Sequence, residues 1–197
     1  MAGKNAVLIA FSLLFYAWGE PLYVFLMIGM AAANWGFGLW MGRGRQKLKL
    51  LLAVIVNLGC LAVFKYAGFL VENINALFGA SFPVPQIPLP IGISFYTFQA
   101  LTYVIDVYRG QVGVQRSYWR FLLYVSLFPQ LIAGPIVRYS DVEQQIEARK
   151  VCREDIFYGM TRFCIGLGKK VLLADGAGKI ASQILDGQLS AATTLGM

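Results

Sequence analysis

Long uncharged stretches alternate with short charged ones along this chain. Pro21–Gly42 runs twenty-two residues without a charge, Leu50–Val71 carries only Lys65, and Leu89–Ile105 is again uncharged. A helix needs about 20 mostly apolar residues to cross a hydrocarbon core of roughly 30 Å. The pattern therefore predicts membrane-length helices over Pro21–Gly42, Leu50–Val71 and Ile91–Tyr108. Ala6–Trp18 is a shorter apolar run. Its end carries Phe15, Tyr16 and Trp18 where a secretory leader would carry small cleavage-site residues, so it reads as a short first span with an aromatic belt. Between the second and third long runs lies PVPQIPLP, whose prolines at 83, 85, 88 and 90 forbid regular helix. Phe121–Val137 is uncharged but interrupted by Pro129 and Pro135, which predicts a kinked or re-entrant passage.

The character changes after Tyr139. Ser140-Asp-Val-Glu143 has capping-box spacing, with Ser140 as N-cap, and Ser140–Asp155 is dense in charges of both signs. Asp155, Gly159, Arg162, Gly166 and Lys169 then recur at spacings of four and three. That is one narrow polar stripe on an apolar helix, expected to pack against other membrane helices with the stripe at a cytoplasmic surface. There is no internal repeat or linker, so the chain reads as one unit: an all-α, multi-spanning integral membrane protein with re-entrant or kinked segments.

Composition agrees. Hydrophobic residues are 58% and charged residues 14% of the 197, with a mean hydropathy of +0.62, against about 45–50% and about 25% in soluble proteins. The net charge of +7 does not indicate nucleic acid, because the cations sit in short runs between apolar segments, where topology determinants lie. Arg43, Arg45, Lys47 and Lys49 mark one cytoplasmic loop. Arg109, Arg116 and Arg120 mark a second, consistent with alternate crossings.

Candidate chemistry is sparse. Three cysteines without CxxC spacing, in a chain with no histidine, predict neither a metal site nor a disulfide framework; Cys60 reads as a small core residue. Gly176–Ala181 fits G-x-G-x-x-A, but a dinucleotide fingerprint needs a preceding strand and a later acid, so a small-residue turn is expected. Gly38 and Gly42 have GxxxG spacing, expected to serve internal packing. Asp106 and Arg109, at i and i+3, are expected to pair at the membrane boundary. Ser94, Tyr96, Thr97, Gln99, Thr102 and Tyr103 scatter polar groups through an uncharged helix, and such groups must face a polar cavity or another helix. On the residues alone, an enzyme, a transporter and a non-catalytic membrane scaffold all remain open.

LPIGISFYTFQALTYVIDVYRG (Leu89–Gly110) resembles a signature of the membrane-bound O-acyltransferase family, in its alginate O-acetyltransferase branch. FKYAGF (Phe64–Phe69), FPQLIAGPIVRYSDV (Phe128–Val142) and TRFCIGLGKKVLLAD (Thr161–Asp175) resemble further family blocks in the family's order. The resemblance implies a multi-pass enzyme of the cell (inner) membrane. It would transfer an acyl group, acetyl in the alginate case, from a cytoplasmic donor such as acetyl-CoA or an acyl carrier to an extracytoplasmic polysaccharide. It also implies an extracytoplasmic acetyltransferase partner and contact with membrane lipids. The family's catalytic histidine lies downstream of these blocks, and this chain has none. Residues 1–197 are therefore expected to be the N-terminal part of such an enzyme, with no bound cofactor or metal and no activity alone. Ser94, Tyr96, Thr97, Gln99, Pro129 and Pro135 are expected to line the acyl path. Arg43, Arg45, Lys47, Lys49, Arg162, Lys169 and Lys170 are expected to form a cytoplasmic basic surface that meets the donor or lipid headgroups. A transporter or scaffold remains the alternative.

Overall fold

The computed structural model describes residues 2–42, 44, 47–131, 136–149 and 152–194. Every regular element among them is helical. The chain forms two units, Met1–Arg149 and Lys150–Met197.

The first unit holds α1 (Ala2–Gly19), α2 (Tyr23–Met41), α3 (Lys47–Phe78), α4 (Ile93–Arg109), α5 (Tyr118–Ser126), α6 (Phe128–Leu131) and α7 (Tyr139–Ala148). α2 and α3 are long and apolar enough to cross a membrane. At 1.5 Å per residue the 32 residues of α3 extend about 48 Å. Only 17% of its apolar window is buried, whereas the core helix of a soluble protein would be mostly covered.

α2 packs on α3 and α4, α4 on α3, α5 on α1 and α2, and α7 on α5. The two glycines predicted to permit close packing do so. The ring of Tyr103 lies 2.7 Å from where a Cβ on Gly38 would sit, and Val114 lies 2.8 Å from the equivalent point on Gly42. Glycine in the left-handed region bounds α4 at both ends, Gly92 at φ 77° and Gly110 at φ 73°. The last turn closes through Gly110 N–H to Val107 O (3.1 Å) and Gln111 N–H to Asp106 O (2.9 Å), the paired bonds of a Schellman end.

The proline-rich connection has no ladder of its own, and side chains hold it in place. Asn75 gives its amide to Phe82 O (2.9 Å) and accepts from Phe82 N–H (3.0 Å). Tyr23 and Tyr16 donate their hydroxyls to Pro88 O and Ile91 O. α2 and α3 are joined by a buried amide pair, Asn34 and Asn57. Each Nδ2 donates to the other's Oδ1 (2.9 and 2.8 Å) and to a carbonyl one turn back in its own helix.

Several sequence expectations need correction. Ser140 is not an N-cap: α7 begins at Tyr139, with Arg138 extended before it, and the Ser140 hydroxyl donates to Asp141. The buried ring of Tyr139, packed against Tyr103 and Tyr124, anchors the helix start one residue earlier. Asp106 and Arg109 form no ion pair: Asp106 is 6% exposed on the packed face of α4, while Arg109 is exposed at the last position before Gly110.

The second unit comprises α8 (Arg153–Lys169), a five-residue π-helical stretch (Lys170–Ala174) and α9 (Asp175–Thr194). α8 is capped by Cys152, whose Sγ accepts from Asp155 N–H while Cys152 N–H donates to Asp155 Oδ2. This reciprocal arrangement is a capping box with a thiol in the usual hydroxyl position. Among the described residues, none of α8 is buried. Gly176–Ala181 lies inside α9 and is neither a turn nor a phosphate loop, and Val171–Ala174 is π-helical rather than a strand.

Candidate functional site

The broken apolar run folds as a hairpin. Val114 touches Gly42 at the end of α2, and Gln115 N–H donates to Tyr103 Oη (3.0 Å) in the C-terminal half of α4. Nine residues of α5 then rise about 14 Å. The helix breaks at Leu127, where ψ is 111°. α6 brings Leu131 O within 2.9 Å of where a Cβ on Gly92 would sit, at the opposite end of α4. By Tyr139 the chain is back beside Tyr103, and Gln115 Nε2 donates to Tyr139 Oη. Finally Asn5, near the start of α1, donates to Ile146 O in α7 (3.0 Å). The described parts of the segment thus begin and end toward one end of the unit.

Breaking α5 above Tyr124 frees backbone groups that helix continuation would have paired. Tyr124 O would have accepted from Phe128 N–H. Instead Gln99 Nε2 donates to Tyr124 O (2.9 Å), and Phe128 N–H donates to Ser12 Oγ (3.3 Å). Residues of α4 and α1 therefore replace both halves of the lost bond. Pro129 has no N–H to offer in any case. Tyr124 Oη donates to Val137 O (2.8 Å) and so ties the segment before α7 to α5. Tyr103, Phe121, Tyr124 and Tyr139 form one ring cluster with centroids 4.7–5.9 Å apart, a spacing at which aromatic pairs attract.

Beneath α6 lies a cavity of about 270 Å³, walled by Leu8, Leu127, Phe128, Pro129 and Ile146, with Tyr124, Gln130, Gln145 and Arg149 as polar members. Gln130 Oε1 is buried and has no hydrogen-bond partner among the described residues. The Tyr96 and Ser126 hydroxyls and Thr97 Oγ1 are likewise buried without a partner among those residues. A larger groove of about 870 Å³ runs between α1 and the segment Gln115–Arg120.

Of the residues expected to line an acyl path, Pro129 walls the smaller cavity. Tyr96, Thr97 and Gln99 are buried in helix packing, and Ser94 is half-buried. Pro135 lies outside the described residues, as do Arg43 and Arg45. Lys47 is exposed. Lys49 is 6% exposed and is not a surface cation. Its ammonium donates to Trp40 O (3.0 Å) and Gly44 O (3.1 Å) and lies 5.3 Å from the Trp40 ring, because the C-terminal carbonyls of α2 need donors. In the second unit Arg162 stacks on Tyr158, Lys170 pairs with Asp175 at 2.7 Å, and Lys169 is exposed.

Sequence reading missed Gln130, Gln145 and Arg149 at the cavity and the Asn34–Asn57 pair. Gln130 had a local signal in its position beside Pro129. The asparagines had none, since their meeting depends on the α2–α3 register. In α7, burial and the neighbouring carboxylate of Glu147 push the Glu143 carboxyl above its ordinary value. Among the described residues no cluster of His, Cys, Asp and Glu could hold a metal. The arrangement can hold and orient a guest through amides and hydroxyls, but it carries no imidazole for proton transfer.

No family model matches the chain, and no solved structure matches it significantly. Curated relatives do match. The chain is 40% identical over 181 residues to "Probable alginate O-acetylase AlgI" of Pseudomonas syringae pv. tomato, covering 87% of this chain and 35% of that protein. A protein of the same name from Pseudomonas aeruginosa is 38% identical over 187 residues, 90% of this chain and 36% of its own length. The "Peptidoglycan O-acetyltransferase" of Helicobacter pylori is 30% identical over 205 aligned positions, 88% of this chain and 39% of its own. The chain therefore spans a little over a third of the length of these relatives.

Proposed function

We propose, on the premise that this chain is a homologue of O-acetyltransferases over about nine-tenths of its length, that it is the N-terminal portion of a multi-pass membrane enzyme. That enzyme would transfer an acetyl group to an extracytoplasmic polysaccharide. The homology is the observation that carries the reading. It gains support from the uncovered apolar surface of α3 and from a hairpin that turns back inside the unit, since such backbone is tolerated at membrane depth only beside protein or water. In this reading α1, α4 and α7 frame the hairpin, and the cavity at Pro129 and Gln130 forms part of the acyl path. The Lys47 end of the unit faces the cytoplasm and its acyl donor, acetyl-CoA or an acyl carrier. An extracytoplasmic partner and the polysaccharide acceptor lie opposite. General acid–base chemistry near neutral pH suits an imidazole, and we assign it to a part of the full-length enzyme that this chain does not match.

The test is complementation of a deletion strain with the full-length gene, reading acetyl ester content of the exported polysaccharide. Gln130→Leu should lower acetylation at unchanged protein level in the membrane fraction. Full acetylation in the deletion strain itself would refute the assignment.

A further inference from the structure

The wide groove between α1 and the start of α5 is separate from the cavity under α6. Its floor is Ala6, Ile9, Ala10 and Leu13, spaced i, i+3, i+4 and i+7 on one face of α1. That apolar strip is about 10 Å long. Its rim is different in kind. Arg116 and Arg120 flank Trp119 there, and Arg149 reaches the rim residue Asn5 at 3.5 Å. Glu147 pairs with Arg120 at 2.6 Å, but no carboxylate lies within ion-pair distance of Arg116 among the described residues. Two rim guanidinium groups, Arg116 and Arg120, against the one carboxylate of Glu147 leave the rim positive, and Arg149, a member of the other cavity, adds to that charge through Asn5.

We propose that this groove binds one anionic phospholipid, with its phosphate at Arg116 and one acyl chain along Ala6–Leu13. A soluble anion would satisfy Arg116 but leave the apolar floor wet, and a neutral chain would cover the floor but leave the rim unmatched. An amphiphile with a charged head meets both demands. Trp beside Arg is the pairing found where a helix end meets the headgroup layer, and basic pockets between helices on the cytoplasmic side are where anionic headgroups lodge. The site rests on the membrane placement proposed above, but not on acetyl transfer.

The experiment uses the purified protein in nanodiscs of equal phosphatidylglycerol and phosphatidylcholine, with tightly retained lipid counted by native mass spectrometry. The wild type should retain phosphatidylglycerol in preference to phosphatidylcholine. Arg116→Gln should reduce that preference about fivefold, the weight of one cation near a lipid surface. Ala10→Phe should block the floor and abolish retention of either lipid, with a melting temperature near wild type confirming that it folds. Equal retention of the two lipids, or wild-type retention by Arg116→Gln, overturns the proposal. So does displacement of the lipid by acetyl-CoA, which would make the groove a nucleotide site. Failure to recover the protein in the membrane fraction overturns the placement as well, whereas recovery without lipid preference sinks the site alone.

Discussion

Replacing Asn57 with alanine should separate α2 from α3 by a predictable amount. The wild-type pair makes two inter-amide hydrogen bonds, at 2.9 and 2.8 Å, and both asparagines are fully buried. Either single alanine substitution removes both bonds and leaves one amide in an apolar interface. Inter-helix polar contacts in membranes average about 0.6 kcal/mol and reach about 1.7. The coupling between the two sites should thus be about 1.2 kcal/mol, with a ceiling near 3.4. Each single variant also bears a stranded amide, costing about 1–3 kcal/mol in total, although the retained bond to Met30 O or Ala53 O holds this toward the lower end. The double variant strands nothing, so it should cost less than the sum of the two singles. The assay is a double-mutant cycle on reversible unfolding in bicelles. Additivity within about 0.3 kcal/mol would refute the reasoning, since it would mean the amides do not act on each other.

Gly38→Ala should destabilise by about 1–3 kcal/mol, read as a lower Tm. The ring it would strike, Tyr103, cannot retreat because Phe121 and Tyr139 pack it and Gln115 N–H binds its oxygen. Gly92→Ala should cost about 1–2 kcal/mol for its left-handed backbone and more for the approach of Leu131 O. It should also lower acetylation by unseating the hairpin apex. For Glu143 the folded carboxyl sits above its ordinary value of 4.5. The protonated form is therefore favoured on folding, and that contribution is lost as pH rises above 4.5. Glu143→Gln should raise the Tm relative to wild type at pH 7 and leave it unchanged at pH 4; the opposite trend would refute the assigned cause. Asp155→Asn should speed amide exchange at the start of α8, because Cys152 N–H loses its carboxylate.

The helices legible in the sequence were those whose boundaries are chemical. Long apolar runs with at most one charge, ended by Pro83, Pro85, Pro88 and Pro90 or by the Arg43–Lys49 cations, marked α2, α3 and α4 to within a few residues, though α3 outran its reading by seven residues at the C-terminal end. Helix continues there through Glu72, Asn73 and Asn75, because exposed polar residues do not stop one. The prolines announced that 121–137 would break. They could not say that the chain turns back, which depends on Gln99 and Ser12 from other helices. Local pairing rules failed where tertiary packing set the orientation: Asp106 went to the packed face while Arg109 stayed outside, and Lys49 turned inward to the end of α2. The four blocks singled out in the sequence anticipated the O-acetyltransferase relatives, but the cavity residues Gln145 and Arg149 come from a segment read only as charged.

The exchange of partners at the α5 break also bears on how the polypeptide must be made. A nine-residue helix with a bare carbonyl at Tyr124 and a bare N–H at Phe128 cannot settle in lipid by itself. The groups that quiet them, on Gln99 and Ser12, belong to segments that leave the ribosome earlier. In the membrane placement proposed above, the hairpin should therefore stay outside the bilayer core, or with the insertion machinery, until α1 and α4 are side by side. Synthesis order and structural dependence run in the same direction, and moving α1 or α4 behind the hairpin by circular permutation would set them against each other.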